Sequence, residues 1–268
     1  MLSEAVILAA GMGTRLSIIS NQRPKFLVKV LGWPLIFFPI LMLISIGIFN
    51  INIVVPKGWK SEAEQTLRKI KANFQIIEND EPQRDNGYSF LLSKQIVSSD
   101  KFLLTMCDHI LPPSLVSTFI NNSPLDSNVH VLVAGDKSPR YIDVCEATRI
   151  LTAKDDNVIK IGKNLPTFDY IDIGLFIIDR KTFKVAEDLA SKKYVIRLSD
   201  VINELLDRNF IVKVIDITGN PWTEIDTVND YFSAHTGKRR EVIDIFLKEV
   251  EKCGIDDKVN GWPGIAVH

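Results

Sequence analysis

The chain of 268 residues is 46% apolar and 24% charged, an ordinary globular composition with enough apolar side chains to bury a sizeable core. Its formal net charge of −1 supplies no basic field of the kind that holds nucleic acid, so any site for a polyanion must be local. Three cysteines (Cys107, Cys145 and Cys253) share no close spacing, which excludes a C-x-x-C zinc or redox pair and argues against a disulfide framework.

The first predicted element is a strand over Ala5–Leu8. No basic region with a cleavage site precedes it, so no signal peptide is read and the protein is expected in the cytoplasm. A helix is predicted over Pro34–Ile46. It lies within an apolar run, Leu35–Phe49, that is shorter than the ~20 residues of a membrane-spanning helix and contains Pro39. The run is therefore read as a helix buried against a sheet and not as a membrane span. The alternative is a partly exposed face used for contact in a homodimer. Further strands are predicted at Ile51–Val55, Phe74–Ile77, Phe102–Met106 and Val129–Ala134. Helices fit between them at Ser61–Lys71, Ser89–Val97 and Pro113–Asn121. Strands alternating with helices, the strands being continuous apolar runs, predict a parallel sheet covered on both faces. In the second half a hairpin is expected from Glu146–Ala153 and Val158–Gly162, then strands at Tyr170–Ile178 and Phe210–Ile217. Helices are expected at Arg180–Ser191, Leu198–Arg208 and through most of Val228–Cys253. The two halves, about 1–135 and 136–253, are expected to share one sheet as a single domain, with 254–268 as a tail.

The first strand runs into Leu8-Ala9-Ala10-Gly11-Met12-Gly13-Thr14-Arg15, and Lys25 follows. Glycines let backbone N–H groups approach phosphate oxygens, an arginine can fork two such oxygens, and a lysine adds a mobile point charge. These groups suit a nucleoside triphosphate. The string is not a dinucleotide fingerprint, because Leu16 stands where a third glycine is needed, and it is not a P-loop. Asp108 follows an apolar strand after Cys107, and Asp226 precedes the last helical stretch. Ligands bind beyond the carboxyl ends of strands in such sheets. Two carboxylates meeting there would make an oxygen site for Mg²⁺, whereas either alone reads as a helix cap or turn residue. His109 is read either as a ligand contact or as packing at a strand end.

L-A-A-G-x-G-T-R with a downstream Pro24-Lys25 resembles the nucleotidyltransferases that join a nucleoside triphosphate to an acceptor phosphate. Further segments narrow the resemblance: Glu81-Pro82, Asn86-Gly87-Tyr88-Ser89, Met106-Cys107-Asp108-His109, Glu146-Ala147-Thr148, Ile161-Gly162-Lys163 and Asp172-Ile173-Gly174. In this order, over about Ala5 to Asp230, they resemble the CTP:inositol-1-phosphate cytidylyltransferases, which make CDP-inositol for di-inositol-phosphate solutes. The resemblance implies an α/β nucleotidyltransferase fold: a Rossmann-like, mixed, mostly parallel sheet flanked by helices with an antiparallel hairpin element. It implies transfer of CMP from CTP to inositol 1-phosphate. It places Leu8 to Arg15, Lys25, Asn86 to Ser89 and Asp108 about the nucleotide, with Arg15 and Lys25 catalytic. Lys163, Asp172 and Gly174 fall on the acceptor, and Asp108 and Asp226 on Mg²⁺. It also implies a stand-alone enzyme, since some relatives continue into a membrane-embedded synthase and no spanning segment is read here.

Read residue by residue, several of these positions keep a second meaning. Asn86-Gly87 is a turn signal, Lys163 is a solvated lysine at a hairpin end, and Gly174 marks a bulge or a close backbone approach. The chain departs from the family pattern at Cys107, where glycine is usual, and at Glu224, where aspartate is common. The competing functions are transfer to a hexose 1-phosphate or phosphocholine, a non-catalytic nucleotide-binding module, and a glycosyltransferase.

Overall fold

A computed structural model describes residues 2–125, 128–255 and 259. Its strands, in chain order, are β1 (Glu4–Leu8), β2 (Lys29–Val30), β3 (Trp33–Pro34), β4 (Asn50–Pro56), β5 (Asn73–Asn79), β6 (Lys101–Met106), β7 (His109–Ile110), β8 (Val131–Asp136), β9 (Arg149–Thr152), β10 (Val158–Gly162), β11 (Tyr170–Asp179), β12 (Val212–Asp216) and β13 (Thr223–Glu224). Nine of these form one mixed sheet. Its main path runs β10-β9-β11-β6-β1-β4-β5, with β8 also on β11 and β12 on β8.

β1 lies parallel between β4 and β6, and β5 continues parallel beyond β4. The chain thus moves outwards from β1 on one side and returns on the other. The carboxyl ends of β1 and β6 meet at this reversal, Leu8 opposite Met106, where a doubly wound sheet opens a crevice for ligands. β11 is antiparallel to β6, β8 and β9, which makes the sheet mixed. The hairpin of β9 and β10 extends that antiparallel region.

Both faces are covered, as the continuous apolar strands predict. Ala5 and Ile7 of β1 pack into one core with the helices Phe37–Ser45, Pro113–Asn121 and Arg239–Lys252. Val6 and Leu8 pack into a second core on the opposite face with the helices Asn86–Ser93, Thr182–Ala190 and Leu198–Asp207. Phe90, Phe102 and Phe183 stack at its centre, with ring centroids 4.7 and 5.6 Å apart. Such pairs add to the burial of their apolar area.

The apolar run after Pro34 is a buried helix. Every residue from Phe37 to Ile44 is buried inside the protein, so the helix offers no apolar face to a second copy. Among the described residues no helix is long and apolar enough to cross a membrane.

Several element boundaries differ from expectation. The helices expected to Lys71 and Val97 end at Leu67 and Ser93, and the hairpin strand expected from Glu146 starts at Arg149. Three further differences have local reasons. Trp33-Pro34 joins the short β2–β3 hairpin, which delays the helix to Phe37. The helix expected from Ser89 starts at Asn86, because Asp85, at φ 73°, accepts a hydrogen bond from the Asn86 N–H and caps it. Asn86-Gly87 therefore opens a helix and is not a turn. The long C-terminal helix is two helices, Val228–Thr236 and Arg239–Lys252, separated at Gly237. Most of the 254–268 tail lies outside the described residues.

Candidate active site

The crevice at the ends of β1 and β6 is a cleft of about 410 Å³. Its wall includes Leu8, Ala10, Gly11, Met12, Gly13, Thr14, Arg15, Lys25, Asn86, Ser89, Asp108, Lys163 and Asp226, so most of the sequence-predicted residues converge here. A neighbouring cavity of about 300 Å³ shares Arg15, Asn86 and Lys163 and adds Asp172, Thr148 and Arg197. Gly174 lies beside Asp172 on a third, smaller recess that also includes His109, Trp222 and Glu224.

Three predicted residues lie on none of these walls. Ala9 is fully buried, and its N–H donates to the Val54 carbonyl at 2.8 Å. Gly87 packs on the Ile196–Arg197 backbone, donating to the Ile196 carbonyl at 3.0 Å. Tyr88 lies under the Arg84 guanidinium, 3.8 Å from its ring centroid. All three support the wall from behind. Ser89 reaches the wall, but it is buried and its hydroxyl accepts from Asn79 Nδ2 at 2.9 Å.

The loop after β1 is glycine-rich for two distinct reasons. A side chain at Gly11 would meet nothing within 4 Å, so its bareness leaves open space at the cleft. Gly13 adopts φ +59°, and a Cβ there would stand 2.8 Å from the Cβ of Lys25. Gly13 is thus where the loop turns left-handed and where Lys25 closes in from below. Single helical turns at Thr14–Leu16 and Lys25–Leu27 fix the two ends of this approach.

Lys25 is the electrostatic hub. It is 5% exposed, and its Nζ donates to Asp108 Oδ2 and, at 2.7 Å, to Asp226 Oδ1. Burial alone would lower the lysine pKa, but the two carboxylates outweigh it and hold the ammonium charged far above the usual lysine range. Burial would raise Asp108, and Lys25 together with His109 overrides it to hold the carboxyl well below the usual range. Arg15 reaches Asp226 with one guanidinium nitrogen and Glu146 with the other, the latter at 3.3 Å. The Cys107 thiol is pushed up by burial and by Asp108, so it stays protonated and is no nucleophile.

Two remote segments bring Asp108 and Asp226 together. β7 pairs antiparallel with β13, Glu224 opposite His109, and the Ile225 N–H donates to the Asp108 carbonyl at 3.0 Å. Behind them the buried Arg239 donates to Asp230 and to the hydroxyl of Thr223, the latter at 2.7 Å. Asp230 in turn accepts from the N–H groups of Asp226 and Thr227. Sequence reading missed this brace because its partners look like ordinary helix charges. It also missed Glu146 as the partner of Arg15, and Arg197 on the cavity wall.

Around Asp172 the site turns acidic. The Asp172 carboxylate accepts the Gly174 N–H at 2.8 Å, and burial raises its pKa to about 7. Burial also raises Glu224. His109 is raised to about 9, because Asp108 favours the imidazolium more than burial disfavours it. The Asp172 shift has a consequence for stability. The unfolded carboxyl ionises near 3.8 and the folded one near 7. Between these values the unfolded chain binds fewer protons, so stability falls as pH rises through that window. Asp172→Asn removes the cost. Thermal melts are expected to show the variant gaining on the wild type at pH 8 and matching it at pH 4; an equal difference at both values would refute the shift.

A family model for nucleotidyl transferases matches residues 4–241. The chain belongs to the nucleotidyl transferase family. It is 34% identical over 224 residues to the bifunctional IPC transferase and DIPP synthase of Thermococcus kodakarensis, a match covering 84% of this chain and 48% of that protein. It is 34% identical over 229 residues to the protein of the same name from Archaeoglobus fulgidus, covering 85% and 42%. The chain thus spans about half the length of the curated relatives it matches. The solved structure of the inositol-1-phosphate CTP transferase from T. maritima superposes with a TM-score of 0.83 at 28% identity. That match covers 94% of this chain and 97% of the other.

Proposed function

We propose that the protein transfers CMP from CTP to inositol 1-phosphate, giving CDP-inositol and pyrophosphate. The observation that carries this reading is the near full-length likeness to the inositol-1-phosphate CTP transferase, combined with a cleft whose cations and carboxylates fit its donor. In this reading residues up to about 135 hold the donor, and residues from about 136 to 253 supply the acceptor groups. Asp226 reaches back to the donor side.

The backbone from Ala10 to Thr14 lies along the triphosphate, and Arg15 leaves Glu146 and Asp226 to fork phosphate oxygens. Lys25 sits at the α-phosphate, where charge grows as the acceptor oxygen attacks in line. Lys163, exposed on the wall shared by the cleft and the adjoining cavity, aims the acceptor phosphate. Asp172 accepts polyol hydroxyls, whereas the space beside Gly174, expected on the acceptor, is taken by the His109 ring. The acceptor phosphate is already an anion, so catalysis is positional and electrostatic and requires no general base.

Among the described residues no group of three or more His, Cys, Asp or Glu gathers to hold a metal. Asp108 and Asp226 do converge on one cation, the Lys25 ammonium. Two carboxylates fit Mg²⁺, which takes its remaining ligands from phosphate oxygens and water. Bound there, Mg²⁺ would neutralise charge on the phosphates.

Incubation with CTP, inositol 1-phosphate and Mg²⁺, followed by mass detection, is expected to yield CDP-inositol and pyrophosphate. Product from a hexose 1-phosphate but not from inositol 1-phosphate would overturn the acceptor assignment. Release of a nucleoside diphosphate instead of pyrophosphate would overturn the reaction class.

A further inference from the structure

One group in the site has no part in the proposed transfer. His109 is 12% exposed in its side chain and touches neither the loop after β1 nor Lys163 in any hydrogen bond. Its Nδ1 is 2.7 Å from Asp108 Oδ1, while the other oxygen of that carboxylate is held by Lys25. Its Nε2 is 3.5 Å from Glu224 Oε2. One ring face lies nearly parallel to the Trp222 indole, 5° apart with centroids at 6.2 Å. Trp222 is itself fixed by a 2.8 Å bond from Nε1 to Asp136.

β11 also closes on the ring. At Gly174 the backbone turns to φ +70°, and the pairing of β11 with β8 shifts register between Asp172 and Phe176. A Cβ on Gly174 would stand 2.7 Å from His109 Nε2, 2.8 Å from Cδ2 and 3.1 Å from Cε1. No real side chain fits there while the imidazole stays in place. The strand kinks at the one residue that can both adopt this φ and leave room for the ring.

The geometry points to His109 as a positioning residue for the Asp108 carboxylate, held against Gly174 and Trp222 so that its Nδ1 ties one carboxylate oxygen and leaves the other to Lys25 and the donor side. This rests on the reading of Asp108 as a donor-side carboxylate. An untethered carboxylate turns about its last torsion, and groups that orient a ligating side chain in this way typically carry 10–100-fold in affinity. Because the ring is what Gly174 makes room for, damage done by a side chain at 174 passes through His109.

The two positions can therefore be tested as a cycle. Binding of Mn²⁺ with CTP, followed by electron paramagnetic resonance, is expected to weaken about tenfold in His109→Ala and about tenfold in Gly174→Ala. The double variant should be weakened by the same factor, not by the product, since the alanine at 109 vacates the space the new methyl needs. His109→Asn keeps a donor near the Nδ1 position and should recover to within about threefold of the wild type. Backbone strain at 174 would lower the melting temperature in both backgrounds alike, which separates a folding defect from a positioning one. As a check that needs no ligand, the imidazole N–H of His109 should give a solvent-protected proton resonance that vanishes in Asp108→Asn and in Gly174→Ala.

Wild-type binding by His109→Ala, a double variant that loses the product of the two factors, or a freely exchanging imidazole proton would overturn the inference. If the wild type binds no Mn²⁺ with CTP and makes no CDP-inositol, it is the proposed function that falls. The proton resonance then still decides whether the clamp exists.

Discussion

Replacing Lys25 by alanine is expected to lower turnover by about 10²–10³ or more, the usual loss when one preorganised charge contact to a transition state is removed. The geometry adds a second, separable effect. Lys25 is the cation between Asp108 and Asp226, whose side chains are 19% and 26% exposed against 6% for the lysine. Deleting the ammonium leaves two carboxylates facing each other. Breaking a fully buried ion pair costs about 3–5 kcal/mol, and partial exposure of the two acids trims that to about 2–3 kcal/mol. The Asp108 carboxyl is depressed in the folded protein, so the stabilisation Lys25 gives is present above the ordinary carboxylate range and lost as pH falls through the folded value. Wild type and variant should therefore differ in melting temperature at pH 7 and converge in strong acid. Millimolar Mg²⁺ should restore part of the variant's stability at pH 7, because a divalent ion suits two facing carboxylates, but not its turnover. Pyrophosphate release at the wild-type rate would sink the assignment of Lys25. Unchanged melting at pH 7 would mean that the three groups do not share one charge centre.

Much of this architecture is legible in the sequence because its signals are local. Strands buried on both faces read as continuous apolar runs, and the glycine turn, Lys25 and Asp108 sit beside the strands that aim them. The donor cleft could be assembled from such signals, and residues from Leu8 to Arg15 do gather there, Ala9 apart. What escaped notice depends on pairing across long sequence distances. Arg239, Asp230 and Thr223 brace Asp226 through bonds that look, in the sequence, like ordinary helix and cap residues. Glu146 meets Arg15 across 131 positions. Gly87 and Tyr88 belong to a segment whose resemblance suggests ligand contact, yet only Asn86 and Ser89 of that segment reach the wall. A helix start presents alternate residues to different neighbours, and which neighbours these are is decided by the distant chain at 196–198.

Gly87→Ala is expected to be strongly destabilising for a single-methyl change behind the donor cleft, at about 2–4 kcal/mol. Alanine normally favours a helix over glycine by about 1 kcal/mol, so local propensity argues the opposite way. Space decides the sign. The new Cβ would stand 2.6 Å from the carbonyl carbon and oxygen of Arg197 and 2.7 Å from the oxygen of Ile196. These are backbone atoms with no rotamer to change, so the two segments must move apart. Overpacking of this kind typically costs about 1–3 kcal/mol. Separation also strains three bonds that stitch the segments together: Gly87 N–H to the Ile196 carbonyl at 3.0 Å, Ile196 N–H to the Arg84 carbonyl at 3.0 Å, and Leu198 N–H to Asn86 Oδ1 at 2.8 Å. Each contributes about 1 kcal/mol. For a chain of this size the sum lowers the melting temperature by roughly 5–10 °C. Gly11→Ala is the matched control. Its Cβ meets nothing within 4 Å, and its melting temperature should stay within about 2 °C of the wild type while CTP binding weakens, since the methyl enters the space left for phosphate. Gly87→Ala should show the reverse order, a large loss of stability with nucleotide affinity reduced only through the displaced Asn86. Equal melting losses at the two glycines would show that the contact between residues 84–87 and 196–198 does not hold the helix in place. A Gly11→Ala protein that binds CTP as the wild type does would remove the phosphate from the space beside that glycine.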